Sequence, residues 1–112
     1  MHPPASTFEQ FQISPPMHAA LRAAGYRVPT PIQAAAITPA LAGRDVIGAA
    51  QTGTGKTAAF MIPIVERLRV ARATDGRANA LVLAPTRELA EQTHGWAQRF
   101  GCGLRAALVV GG

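Results

Sequence analysis

The segment Ala50-Gln51-Thr52-Gly53-Thr54-Gly55-Lys56-Thr57 stands between a short apolar run, Asp45-Val46-Ile47-Gly48-Ala49, and the helix-favouring stretch Thr57-Ala58-Ala59-Phe60-Met61-Ile62. Strand, glycine-rich turn and helix in that order are the parts of a phosphate-binding loop. A helix N-terminus leaves backbone N–H groups without partners, and its dipole favours an anion there. This order restricts the fold, because the strand must lie in a sheet and the helix must pack back across it. Lys56 is the only lysine of the chain, in a composition where arginine supplies every other cationic side chain. A compact ammonium fits a phosphate cradle better than a planar guanidinium fork does. Ala50 replaces the glycine that opens the full signature, which requires an ordinary negative φ at that position.

In the complete pattern, Gly53 and Gly55 let consecutive N–H groups wrap the phosphates, Lys56 reaches the β and γ oxygens, and the Thr57 hydroxyl is the magnesium ligand. Pro63 falls inside the following helix, which should bend or break between Ala59 and Pro63.

The chain has 112 residues, 48% of them hydrophobic and 15% charged, with no apolar run long enough to cross a bilayer, the profile of a soluble globular segment. Eleven basic residues against six acidic ones give a net charge of +5 and a pI near 11.1. That balance favours a polyanionic partner such as nucleic acid, although an arginine- and alanine-rich composition also follows from a GC-rich genome. The lone Cys102 cannot form an internal disulfide and fits a reducing cytoplasm. His2, His18 and His94 lack metal-ligand spacing, and the first residues lack the basic-then-apolar pattern of a secretory signal.

Local signals divide the rest of the chain into helices and strands. Ser14 followed by Pro15 starts a short helix that Gly25 closes, and Thr30 caps a second helix from Pro31 to about Leu41 that Gly43 ends. The loop helix runs to about Arg69. The stretch from Arg72 to Asn79 is a linker with an Asp75-Gly76 turn. A strand Ala80–Ala84, a helix from Arg87 to about Phe100 and a strand Ala106–Val110 complete the alternation. The expected fold is α/β: an incomplete doubly wound parallel sheet of about three strands with flanking helices. Residues 1–43 form an N-terminal helical unit, and 44–112 the first part of a nucleotide-binding domain.

Phe8, Gly25-Tyr26-Arg27-Val28-Pro29-Thr30-Pro31-Ile32-Gln33, Ala50 to Thr57, Pro85-Thr86-Arg87-Glu88-Leu89-Ala90 and Gly111-Gly112 together resemble, in order, the opening motifs of DEAD-box RNA helicases. The resemblance implies a RecA-like P-loop NTPase domain, truncated before its D-E-A-D box, that belongs to an RNA-dependent ATPase coupling ATP hydrolysis to RNA unwinding. It implies ATP and Mg2+ as ligands. The ATP-site residues it implies are Phe8, Tyr26, Gln33, Ala50, Gln51, Thr52, Gly53, Thr54, Gly55, Lys56 and Thr57, with Lys56 catalytic and Thr57 on the metal. Pro85, Thr86, Arg87, Gly111 and Gly112 are implied to contact the RNA backbone without reading sequence. Without the family's later motifs, residues 1–112 alone are expected not to turn over ATP.

Each of these residues also has a plainer explanation. The Gln33 carboxamide presents a donor beside an acceptor, as adenine N6–H and N7 require, and the same residue completes a capping box with Thr30. Phe8, placed by the resemblance on the adenine face, is of a type that more often anchors a core, and Phe11 competes for its role. Tyr26 near a helix end is equally explained by burial. Thr86 can bind a phosphate or simply cap a helix. Trp96 and Phe100, four apart, fit a core face better than a stacking platform. Two other functions fit part of the pattern: a small-molecule kinase with a P-loop, and a truncated, non-catalytic nucleotide-binding module.

Overall fold

The computed structural model describes residues 5–51, 53, 55–70, 79–101 and 104–111. A 3-10 turn at Phe8–Gln10 precedes four α-helices: α1 Pro15–Ala23, α2 Pro31–Leu41, α3 Lys56–Val70 and α4 Arg87–Phe100. The linker and its Asp75-Gly76 turn fall almost wholly outside the described residues, as does Cys102.

Helix ends sit where their signals are. Ser14 Oγ accepts from Met17 N–H at 3.3 Å, and Thr86 Oγ1 from Leu89 N–H at 3.2 Å. Both glycine ends are Schellman motifs. After α1, Gly25 takes φ +83°, its N–H donates to Arg22 O, and Tyr26 N–H donates to Leu21 O at 2.9 Å. After α2, Gly43 takes φ +85°, with Gly43 N–H on Ala40 O and Arg44 N–H on Pro39 O.

α3 continues through Pro63, so of the bend or break expected there the break is absent. The missing N–H deprives the Ala59 carbonyl of its helical donor. Around it, however, Ala58, Ala59, Met61, Ile62 and Val65 are all buried, so tertiary packing outweighs the local preference. α2 carries Pro39 within its last turns in the same way.

The core lies between helices. Phe8, Phe11, Met17, Leu21, Ile37, Met61, Ile62, Val65 and Phe100 form one buried cluster against which Tyr26 and Trp96 pack. Its aromatic part is a chain of ring contacts, with centroid separations of 5.5 Å for the edge-on Phe8–Tyr26 pair, 5.5 Å for the tilted Tyr26–Trp96 pair and 4.9 Å for the tilted Trp96–Phe100 pair. A polar clasp closes the other side. Glu66 accepts from Ser14 N–H at 2.9 Å and Ser14 Oγ–H at 2.8 Å, and Arg69 donates to the Phe100 carbonyl at 2.8 Å. Arg69 Nε lies 3.4 Å from Glu66 Oε1, yet its N–H is not aimed at the oxygen, so the pair is ionic rather than hydrogen-bonded.

The three expected strands are not assigned as such in the structure. Among the described residues, Asp45–Ala49, Ala80–Ala84 and Ala106–Val110 are neither helix nor strand. They keep strand-like alternation: Leu81 and Leu83 point out at 81% and 85% exposure while Val82 and Ala84 are partly buried, and Val109 points out between less exposed Leu108 and Val110. What is missing is a ladder. Val46, Gly48 and residues 82–85 line an apolar cavity of about 400 Å³, bounded also by Ile32, Phe60 and Leu89.

Candidate nucleotide and nucleic-acid site

The phosphate loop enters α3 through two glycines whose backbone forbids other residues at low strain. Gly53 has φ +85° and Gly55 φ +83°. At Gly55 a Cβ would collide with the Gln33 side-chain nitrogen, so this position needs glycine for space as well as for its dihedral. Lys56 is the first residue of α3 and is exposed; Thr57 follows, half-buried. Ala50 is partly buried and Gln51 exposed. Ala50 has an ordinary negative φ, as the sequence required, because the non-glycine residues described here include no positive φ. Thr52 and Thr54 lie outside the described residues.

Gln33 is the best-determined residue of the site. It is 1% exposed, and its side-chain oxygen accepts from Thr30 N–H at 2.9 Å while its nitrogen donates to the Gly55 carbonyl at 3.1 Å. Only one orientation of the amide satisfies both partners, because Thr30 offers a donor and Gly55 an acceptor. The Gly55 carbonyl also receives Ala59 N–H at 3.1 Å, the first helical bond of α3. The capping box read from the sequence is therefore present, and the same side chain reaches the phosphate loop 22 residues away. Gln33 keeps one N–H and one oxygen lone pair beyond these bonds, the pair of groups a base edge requires.

The aromatic residues divide by burial. Phe8 is 2% exposed and held edge-on by Phe11 and Tyr26, both at 5.5 Å, so it is a core anchor with no open face for stacking. In this geometry Phe8 is a core residue, and its packing on an adenine stays an expectation from the resemblance. Phe11 is equally buried. Tyr26 is half-buried beside them, and burial pushes its phenol above the usual 10, opposed by the positive charge of Arg99. Trp96 and Phe100 belong to the core, as expected.

Pro85, Thr86 and Arg87 are all exposed at the start of α4. Thr86 Oγ1 serves the N-cap, which leaves its hydroxyl proton available to an acceptor. Arg87 Nη2 donates to the Gly111 carbonyl at 2.6 Å, joining two of the motifs that the sequence named separately. Gly112 lies outside the described residues. Sequence reasoning missed this contact and the Gln33–Gly55 bond, since each spans more than twenty residues and has no local signature.

Residues 30–112 match the family model described as DEAD/DEAH box helicase. The ATP-dependent RNA helicase RhlB of Xanthomonas axonopodis pv. citri is 50% identical over 112 residues, covering 95% of this chain and 20% of that protein. The ATP-dependent RNA helicase DRS1 of Lodderomyces elongisporus is 43% identical over 111 residues, covering 96% of this chain and 16% of its own length. Among solved structures, the RNA helicase Prp28 from Chaetomium thermophilum bound to ADP superposes with a TM-score of 0.91 at 38% identity, over 100% of this chain and 28% of that one. A DEAD box protein from the hyperthermophile Methanococcus jannaschii gives 0.78 at 31% identity, over 88% and 26%. The chain thus spans a fifth or less of the length of these two curated relatives. With the phosphate loop, the glutamine that touches it and the paired α4 motif all inside the matched region, the chain belongs to the DEAD/DEAH box helicase family.

Proposed function

We propose that this chain forms the ATP-binding face and part of the RNA-binding edge of an ATP-dependent RNA helicase, in which ATP hydrolysis drives local separation of RNA strands. The observation that carries the proposal is the bond from Gln33 to the Gly55 carbonyl, which joins a base-reading amide to a phosphate-binding loop in one rigid unit. The RecA-like sheet belongs to the same proposal, with Asp45–Ala49, Ala80–Ala84 and Ala106–Val110 as its strands.

The residues fit a triphosphate with magnesium. Gly53 leaves open space where a side chain would stand, Gly55 is packed by the Gln33 amide, and the N-terminus of α3 beside them favours an anion. Lys56 stabilises charge on the β and γ phosphates, more strongly as it develops in the transition state. Thr57 is the residue that would hold Mg2+, whose chemistry is to neutralise phosphate charge. Gln33 accepts from adenine N6–H and donates to N7, and guanine, whose O6 reverses the first of these, is rejected. Tyr26 lines the base side, supported from behind by Phe8. At the other edge, Thr86 and the backbone at Gly111 and Gly112 hold RNA phosphates, contacts that carry no base information.

The test is nucleotide binding by calorimetry to the full-length protein. ADP is expected to bind at least tenfold more tightly than GDP, about 1.4 kcal/mol. Gln33→Ala narrows that gap. Equal affinity of the unmutated chain for the two nucleotides would remove the base assignment.

A further inference from the structure

We propose that Arg87 is a positioning residue: its guanidinium braces the Gly111 carbonyl so that the backbone there holds one conformation toward a phosphate, and it does not bind the phosphate itself. This rests on the RNA-backbone role given above to Thr86 and Gly111, and it reverses the part that the motif pattern assigns to Arg87.

The argument starts from what holds the last segment. Residues 104–111 make no strand ladder among the described residues, so their backbone groups gain order from elsewhere. Two side chains of α4 reach them. His94 Nε2 lies 3.2 Å from the Ala106 carbonyl, and because a carbonyl only accepts, that nitrogen is the one carrying the proton. Arg87 Nη2 donates to the Gly111 carbonyl at 2.6 Å.

Arg87 and His94 are seven apart, two helical turns, and therefore lie on one stripe of α4. Their partners run in the opposite order, Gly111 near the start of the helix and Ala106 further along, so the segment lies antiparallel to α4 and is pinned near both ends. Its middle follows the same geometry, with Leu108 and Val110 at 38% and 40% exposure and Val109 between them at 88%.

The bond at Gly111 is charge-assisted and short, the stronger class of hydrogen bond. It commits one arm of the guanidinium fork to the chain itself. A bidentate phosphate clamp needs two parallel N–H groups facing outward, and an arm turned to a carbonyl weakens that geometry. Thr86, one residue earlier, has its hydroxyl proton available, so the phosphate contact can be made beside Arg87 without it.

Salt dependence separates a brace from a ligand. Each phosphate neutralised on a single strand contributes about 0.7 to the slope of log K against log salt. The experiment measures binding of a fluorescein-labelled oligouridylate by anisotropy to residues 1–112 and to Arg87→Ala over roughly 50 to 200 mM KCl. It also records the Gly111 amide of both RNA-free proteins by NMR. The expected result is a loss of affinity of about fivefold, the scale of one exposed hydrogen bond. The slope should fall by less than half of one phosphate contact, and the Gly111 amide should shift and exchange faster. A full drop of about 0.7 in slope with an unmoved Gly111 amide makes Arg87 a phosphate ligand and overturns the proposal. So does unchanged affinity. Failure of the unmutated chain to bind RNA strikes the RNA reading instead, while the Gly111 amide still decides whether the brace exists.

Discussion

Gly55 answers to three demands at once. It holds φ +83°, its carbonyl accepts from both Gln33 and Ala59, and the space over its Cα is filled by the Gln33 amide. Gly55→Ala must therefore strain the backbone and push Gln33 out of its pocket, and the two effects together should lower stability by about 2 to 4 kcal/mol, measured by urea denaturation. The same substitution should abolish selectivity for ADP over GDP, since the displaced amide loses its aim. Tyr26 gives a second residue-level outcome. Its phenol ionises less readily folded than unfolded, so the folded chain keeps its proton where the unfolded chain releases it. The stability this contributes is whole below pH 10 and is lost as pH rises above that value. Thermal melts from pH 9 to pH 11 should show the decline, and Tyr26→Phe should flatten it.

Helices were legible in the sequence because their ends are chemical and local. Ser14 with Pro15, Thr30 with Pro31, Thr86, and the glycines at 25 and 43 act within a few residues, and each was found in its place. That α3 stays continuous across Pro63 was not legible for the opposite reason, since the burial that sustains it comes from packing against α2 and α4. Glu66 was invisible in the same way: its partner Ser14 lies 52 positions earlier. At the site, Gln33 and the loop glycines were readable from spacing and Phe8 was of a type that anchors a core, whereas its contact with Tyr26, 18 residues later, has no local signature. The clasp makes its own prediction. Glu66→Ala strips two hydrogen bonds from the cap of α1 and the counter-charge from Arg69, all nearly buried, and should cost about 2 to 3 kcal/mol. Loss of helix signal at lower urea is the measurement, and a change below about 0.5 kcal/mol would make the clasp incidental.

The whole molecule has two unlike sides. One is a closed helical core; the other exposes Ile47, Leu81, Leu83 and Val109 around the apolar cavity. Strand pairing is a long-range property that no alternation pattern can supply by itself, which is why the pairing of these segments was not legible in the sequence. Exposed apolar surface of this kind calls for a cover. Residues 1–112 in isolation should accordingly bind a hydrophobic dye strongly and self-associate at micromolar concentration, followed by fluorescence and light scattering. Replacing Leu81 and Leu83 together by threonine should reduce both signals while leaving the helix content unchanged.

The aromatic chain that runs from Phe8 through Tyr26 and Trp96 to Phe100 also sets a clock. Phe8 and Tyr26 find the far end of their ring chain only when Phe100 has been made, 92 residues after Phe8, which at about 5 to 20 residues per second means a wait of roughly 5 to 20 s. During that interval α1 and the Phe8 turn have no complete core to join, and whatever shields nascent apolar side chains in the cell must hold this segment for that time.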